Sequence, residues 1–570
     1  METRRMALIA VLGVILFLLY EAWNKDFPSA AAIAATSPAA TAAANVPADP
    51  TAPPVPSATD AKSDPNAAPT VADGTAAAPV AAQTIRVKTD LIDAEISTAG
   101  AELRRVELLN YQLEKNDPTR KLPLLNDRDG QVFTLQAGLA AVEKPLATGQ
   151  TIYSTPQTAY ELAPGVDTLD VPFETTDASG VTLRKVYRIK RGSYQIELVQ
   201  SIVNKSGQPL NVSPYARWLR NPVSSEKAQK FISTFLGMGV FEQKPGTTDY
   251  RFKKIKLTEL NGAPYESKQT GGWLAMIQHY FIAAIIPPAD EALTLSGKPA
   301  GGTNYLGQYL GAGKLVADGA EASFSTGLYI GPKLQGKLDA VAPGLALTED
   351  YGILTVIAKP LFVAMNFFHG LVGNWGWSII LLTLLVKLLF YPLTAAQYKS
   401  MAKMKKFTPR IAELKERYAD DREKLSRAMM DLYKKEGFNP LAGCWPILVQ
   451  MPVFFSLYWV LIESVELRQA PFMLWLQDLS AADPLYIMPV LYGASMWLQQ
   501  RMSGQLATMD PMQARIMNIM PIAFTGMFLF FPAGLVVYWF VSNVIGIAQQ
   551  KYITYRIEQA DGAKRELKKA

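Results

Sequence analysis

Apolar residues gather in two places along the chain, at the N-terminus and again beyond Ile353. Met6 to Tyr20 is an unbroken apolar run behind Arg4 and Arg5, with Trp23 just after it. Small residues suited to cleavage come only around Ala30 to Ala35, so residues 1–27 read as a retained transmembrane anchor, not a cleaved signal peptide. Residues 28–83 lose their large apolar positions to Ala, Pro, Thr and Ser, a composition that predicts a disordered spacer. From 84 to 345 the pattern becomes short alternating segments separated by turns. Thr182 to Ile189 alternates, Arg191-Gly192-Ser193 offers a turn, and Tyr194 to Leu198 resumes the alternation, as a hairpin would. Tyr280 to Ile286 is dense enough for a strand buried on both faces. Many such strands predict a large antiparallel β-sandwich.

Beyond Ile353 the period is helical. Residues 346–372 carry Leu354, Ile357, Leu361, Met365 and Phe368 at helical spacing, but Lys359 and Pro360 interrupt them. That reads as an amphipathic helix lying in the outer interface. Residues 373–396 hold a transmembrane helix, with a full span from Trp375 to Tyr391, and 397–444 form a helical hairpin. Residues 445–550 supply four more spans: Pro446 to Val465, Pro484 to Gln499, and two within Ile516 to Ala548 split at Pro532-Ala533-Gly534. A basic tail, 551–570, follows. Some spans are short for a bilayer core of about 30 Å. With the anchor, the expected fold is a membrane α-helical bundle of six transmembrane helices plus a large periplasmic antiparallel β-sandwich.

Charge sets the orientation. Gln397 to Cys444 carries twelve Lys or Arg against seven Asp or Glu, while Glu466 to Pro484 carries one Arg against three acids. The positive-inside bias puts the hairpin and both termini in the cytoplasm and the sandwich in the periplasm of a bacterial inner membrane. The net charge of +6 is thereby used for topology, with no nucleic acid as a direct partner. Cys444 is the single cysteine, so an intramolecular disulfide is excluded. With only His279 and His369 beside it, a zinc site of ordinary composition is not expected, nor is any cofactor.

The strongest local oddity is Lys387 inside an otherwise apolar helix. A lysine at mid-bilayer costs about 2.5 to 3.5 kcal/mol, so it should face protein or water, or snorkel to the inner headgroups. Thr383 lies one turn earlier on the same face. Gln450, Ser542 and Asn543 are further polar positions in later spans, with Tyr538 and Trp539 beside them. Singly, each is most simply a helix–helix hydrogen bond or an interfacial aromatic. Together with Lys387 they outline a candidate hydrophilic groove. In the hairpin, Met401, Met404, Ile411, Leu414 and Tyr418 form a seam, and Asp420 with Glu423 resembles a capping box. Met401, Met404, Lys405 and Lys406 are candidate partner-binding positions.

Several ordered motifs carry a resemblance. They are Gly373-Asn374-Trp375-Gly376-Trp377-Ser378, Tyr391-Pro392-Leu393-Thr394, Asn439-Pro440-Leu441-Ala442-Gly443-Cys444, Gln450-Met451-Pro452, Val465 through Phe472, Asp510-Pro511-Met512-Gln513 and Gly534 through Asn543. Over most of its length the chain resembles the YidC/Oxa/Alb family of membrane insertases, in its Gram-negative form. The resemblance implies a five-helix insertase core around a hydrophilic groove open to cytoplasm and lipid. It implies nascent membrane proteins, the Sec translocon, the ribosome and signal recognition machinery, and the lipid bilayer as partners. It also implies that the chain is not an enzyme. The family's groove arginine falls on Lys387 and a groove tyrosine on Trp539, so charge is kept while bidentate geometry and one phenol are lost. Two other classes compete. A Ser–Lys membrane protease would pair Lys387 with Ser542 or Ser378, and a proton-coupled transporter would need an intramembrane carboxylate, for which Glu463 is the candidate.

Overall fold

The computed structural model describes residues 82–115, 117–225, 235–349, 351–418, 421–435, 445–503 and 511–567. The expected anchor, nearly all of the spacer, and the Asn439 to Cys444 and Asp510 motif positions lie outside them.

Among the described residues, the β-rich domain holds an eleven-stranded and an eight-stranded sheet. The predicted hairpin is present: Thr182–Lys190 pairs antiparallel with Gln195–Val203, with Ile189 opposite Ile196. Phe281–Ile286 is buried almost throughout and lies between Trp273–Ile277 and Glu321–Pro332. Alternation puts one face of each strand inward, so residues from both sheets merge into one core that includes Phe133, Trp218, Trp273 and Phe281. Among the described residues the ladder is antiparallel except at one edge, where Thr84–Lys88 runs parallel to Ala159–Glu161.

Eight helices follow among the described residues: α1 (Thr355–Val372), α2 (Trp375–Leu389), α3 (Tyr391–Arg417), α4 (Arg422–Lys435), α5 (Trp445–Glu463), α6 (Ile487–Ser503), α7 (Pro511–Phe528) and α8 (Ala533–Leu567). Helix α1 packs on α2 and α5, and α8 packs on α2, α3 and α6. Gly373 ends α1 in a left-handed cap, its N–H on the His369 carbonyl at 2.8 Å. Asn374 then opens α2, its side chain accepting from Trp377 N at 3.2 Å. At Phe390 the chain bends by 65° into α3, where Pro392 has no N–H to continue the ladder. In the hairpin, the α4 cap is supplied by Asp421, whose Oδ1 accepts from Lys424 N at 2.9 Å. The expected Asp420 is outside the described residues.

By length and composition, α8 and the segment Gly352–Val372 are apolar enough to cross a membrane, as is the bent pair formed by α2 and the start of α3. The segment Gly352–Val372 was expected to lie in the interface. Its exposed Ile353, Val356, Val363, Phe367 and Leu371 give it a lipid-facing side in either placement.

Candidate functional site

The segment between α5 and α6 closes one end of the bundle. Asn374 Nδ2 at the start of α2 donates to the Phe472 carbonyl at 3.0 Å. Buried Asp483 caps α6, accepting from Met488 N at 2.7 Å and Leu485 N at 3.0 Å, and also holds Trp475 Nε1 at 3.1 Å. The first N–H groups of α8 are used here too: Ala533 N donates to Ala481 O at 2.7 Å and Gly534 N to Leu479 O at 2.9 Å. The loop thus satisfies backbone donors at the starts of α6 and α8 and holds the α2 cap residue Asn374 through its side chain. The sandwich joins at this same end, where Arg468 donates to Gln112 O at 2.9 Å.

The candidate polar residues sit deeper. Lys387 is in the last turn of α2, twelve positions or about 18 Å from Trp375. Asn543 lies about 15 Å along α8 from Ala533, and Gln450 about 20 Å back along α5 from Glu463. Three helices therefore carry their polar positions at comparable depth from the closed end. Lys387 is half-buried and has no hydrogen bond or ion pair among the described residues.

Other predicted residues are already engaged. Thr383 is fully buried, and its hydroxyl donates to Ile379 O of its own helix at 2.6 Å, so it does not extend a donor stripe from Lys387. Asn543 Nδ2 donates to Ser495 Oγ of α6 at 3.0 Å, the helix-to-helix bond weighed as the simpler reading. Ser542 and Gln450 are half-buried and Tyr538 is buried in the helical core. Trp539 stacks on Phe454 at 4.7 Å and meets Phe528 and Tyr492 at 3.9 and 5.8 Å, an aromatic joint between α5, α6, α7 and α8. Met401, Met404, Lys405 and Lys406 fall on α3, but their side chains lie outside the described residues.

The competing chemistries fare differently. Ser378 Oγ donates to Asn374 O at 2.8 Å, nine residues and about 14 Å along α2 from Lys387, too far for a dyad. Ser542 makes no hydrogen bond to Lys387 among the described residues. Glu463 lies at the end of α5 against the sandwich, 3.5 Å from Lys333 Nζ, so it stands at a domain junction and not within a mid-membrane relay. Sequence reasoning missed Lys333 and Asp483; Tyr398, whose hydroxyl donates to Gly546 O at 3.0 Å, ties α3 to α8. A charged residue at a segment boundary was the available signal; Asp483 meets its partners within eight residues, whereas Lys333 and Glu463 lie 130 positions apart.

Comparison with known proteins agrees with this architecture. Residues 84–364 match the family described as the YidC periplasmic domain, and 367–560 the family described as the 60Kd inner membrane protein. The chain is 43% identical over 561 residues to the membrane protein insertase YidC of Nitrosococcus oceani, covering 98% of this chain and 100% of that one. It is 45% identical over 480 residues to that of Methylococcus capsulatus, covering 84% and 86%. A crystal structure of an active YidC insertase with its first transmembrane domain resolved aligns at TM-score 0.38 and 17% identity, over 82% of this chain and 93% of that one. Two domain matches in the right order and near-complete coverage leave one assignment: the chain belongs to the YidC family of membrane protein insertases of the inner membrane, with a periplasmic β-rich domain.

Proposed function

We propose that insertion runs through a positively charged hydrophilic groove in which Lys387 is the principal charge and Gln450, Tyr538, Trp539, Ser542 and Asn543 contribute walls or helix-to-helix anchors. The observation that carries this reading is Lys387 itself: half-buried in an apolar helix, without a carboxylate among the described residues. An uncompensated cation at that depth is expensive in hydrocarbon and useful in a wet cavity. A polar, often acidic, segment of a nascent protein would enter near it and be held transiently by charge. Its apolar helix would then leave sideways into lipid, so no nucleotide is consumed. The 15 residues of α2 reach about 22 Å, less than a bilayer core of about 30 Å, and a thinned membrane shortens the remaining path.

In this reading six spans, counting residues 1–27, place both termini in the cytoplasm. The basic hairpin of α3 and α4 and the tail then face the ribosome and signal recognition machinery, with the Sec translocon alongside for some substrates. The chain is a chaperone-like insertase and carries no catalytic residue.

The test is insertion of an acidic-tailed protein in cells depleted of native insertase and supplied with Lys387→Glu. Loss of insertion at normal accumulation, with recovery in Lys387→Arg, is the expected outcome. Unchanged insertion would reduce Lys387 to a snorkelling residue and transfer the mechanism to membrane thinning and apolar helix contacts.

A further inference from the structure

The sandwich end of α5 terminates in a buried ion pair that crosses between domains. Glu463 Oε2 lies 3.5 Å from Lys333 Nζ, and its Oε1 is 3.9 Å from His279 Nε2. Lys333 immediately follows the strand Glu321–Pro332, is 4% exposed, and also donates to Thr348 O at 3.4 Å. The His279 ring nitrogen meets the Ile462 carbonyl at 3.1 Å. Burial first, and the charge of Lys333 second, push His279 down to about 3, so its ring is neutral and Lys333 is the cation facing Glu463. Two hydrogen bonds flank the pair: Gln335 N to Glu466 Oε1 at 3.0 Å and Gln335 Nε2 to Ser464 Oγ at 2.9 Å. Val465, next in the chain, is part of the sandwich core.

A lysine this buried is a poor way to gain stability, because desolvation offsets most of the attraction. What such a pair does supply is registry: the two charges meet at contact distance in only one relative placement of the two segments. The helix so fixed is α5, which bears Gln450 and the Phe454 face of the aromatic joint with Trp539. A slide or rotation of α5 would be felt in both.

We propose that Lys333 is a positioning residue for insertion: through Glu463 it sets the height and rotation of α5, so the sandwich acts as a clamp on the insertase core. The clamp is independent of the charge on Lys387, since it would alter the shape of the core for every substrate.

The experiment compares Lys333→Met, Glu463→Gln and the double variant of the full chain in depleted cells, using test proteins with acidic and with uncharged tails. Each single variant is expected to lower insertion roughly five- to tenfold for both tails, while the sandwich stays protease-resistant. The double variant, in which both charges of the pair are gone, should return to within about twofold of the parent, and Lys333→Arg should retain activity. Wild-type insertion by both single variants would overturn the proposal, as would a double variant no better than the worse single one. A defect confined to acidic tails would also overturn it, since that is the behaviour expected of Lys387. If Lys333→Met unfolds the sandwich, Glu463→Gln and the double variant decide by the same criteria, because Glu463 belongs to α5.

Discussion

Gly376, in the first turn of α2, lies directly against the Phe472 ring, so that a Cβ on the glycine would come within 2.0 Å of Phe472 Cδ2. The neighbouring Trp377 meets the same ring edge-on at 5.7 Å, and Asn374 binds the Phe472 carbonyl. Two sequence motifs almost a hundred residues apart are therefore one structural unit, the plug over the sandwich end of the bundle. Its glycine is required by close approach and not by backbone conformation, since its φ is negative and helical.

Gly376→Ala should consequently destabilise the bundle by about 1 to 3 kcal/mol, the ordinary cost of overpacking a close contact. The thermal midpoint of the full chain in detergent measures it. Adding Phe472→Leu should recover part of the loss, whereas an unchanged midpoint in Gly376→Ala would mean that the plug yields freely.

The aromatic joint makes a separate prediction. Trp539→Ala removes the ring that stacks between Phe454, Tyr492 and Phe528 and should cost about 3 to 5 kcal/mol. Insertion should fall for acidic and uncharged tails alike, accompanied by faster proteolysis of the membrane region. A defect restricted to acidic tails would instead place Trp539 in the groove beside the charge.

Two groups at the domain junction give opposite pH dependences. Burial, followed by the nearby Glu466, raises Glu349 from an ordinary 4.5 to about 8. Between those values the folded chain holds a proton that the unfolded chain has lost, so stability falls as pH rises through the window, by at most about 1.4 kcal/mol per unit. Glu349→Gln should flatten that decline and raise the thermal midpoint at pH 8 more than at pH 5. Equal shifts at the two pH values would refute the assignment.

His279 acts in the other direction. Its depressed value means that below 6.5 the unfolded chain binds a proton the folded chain refuses, so stability is lost as pH falls toward about 3. His279→Gln retains a donor toward the Ile462 carbonyl and should reduce the slope of midpoint against pH between 6.5 and 5. A slope identical to the parent's would show that the ring is not what resists protonation.

Much of the architecture is local and therefore legible in the sequence. Period-two segments such as Thr182 to Leu198 pair as a hairpin because alternation leaves one apolar face that must be buried. The long apolar helices and their breaks at Gly373-Asn374 and Pro532 follow from caps and from proline's missing N–H, properties of a few adjacent residues, whereas the bend at Phe390 falls inside the single helix expected over 373–396. The oddity of Lys387 was equally visible, since a charge in an apolar run needs no partner to be noticed. Tertiary structure alone decided which residues each polar group answers. Thr383 turns back on its own helix, Asn543 finds Ser495, and Glu463, a relay candidate when read along the chain, meets Lys333. Those pairings join residues as many as 130 positions apart, and a hydrogen bond is fixed by distance and direction in space, about which separation along the chain carries no information.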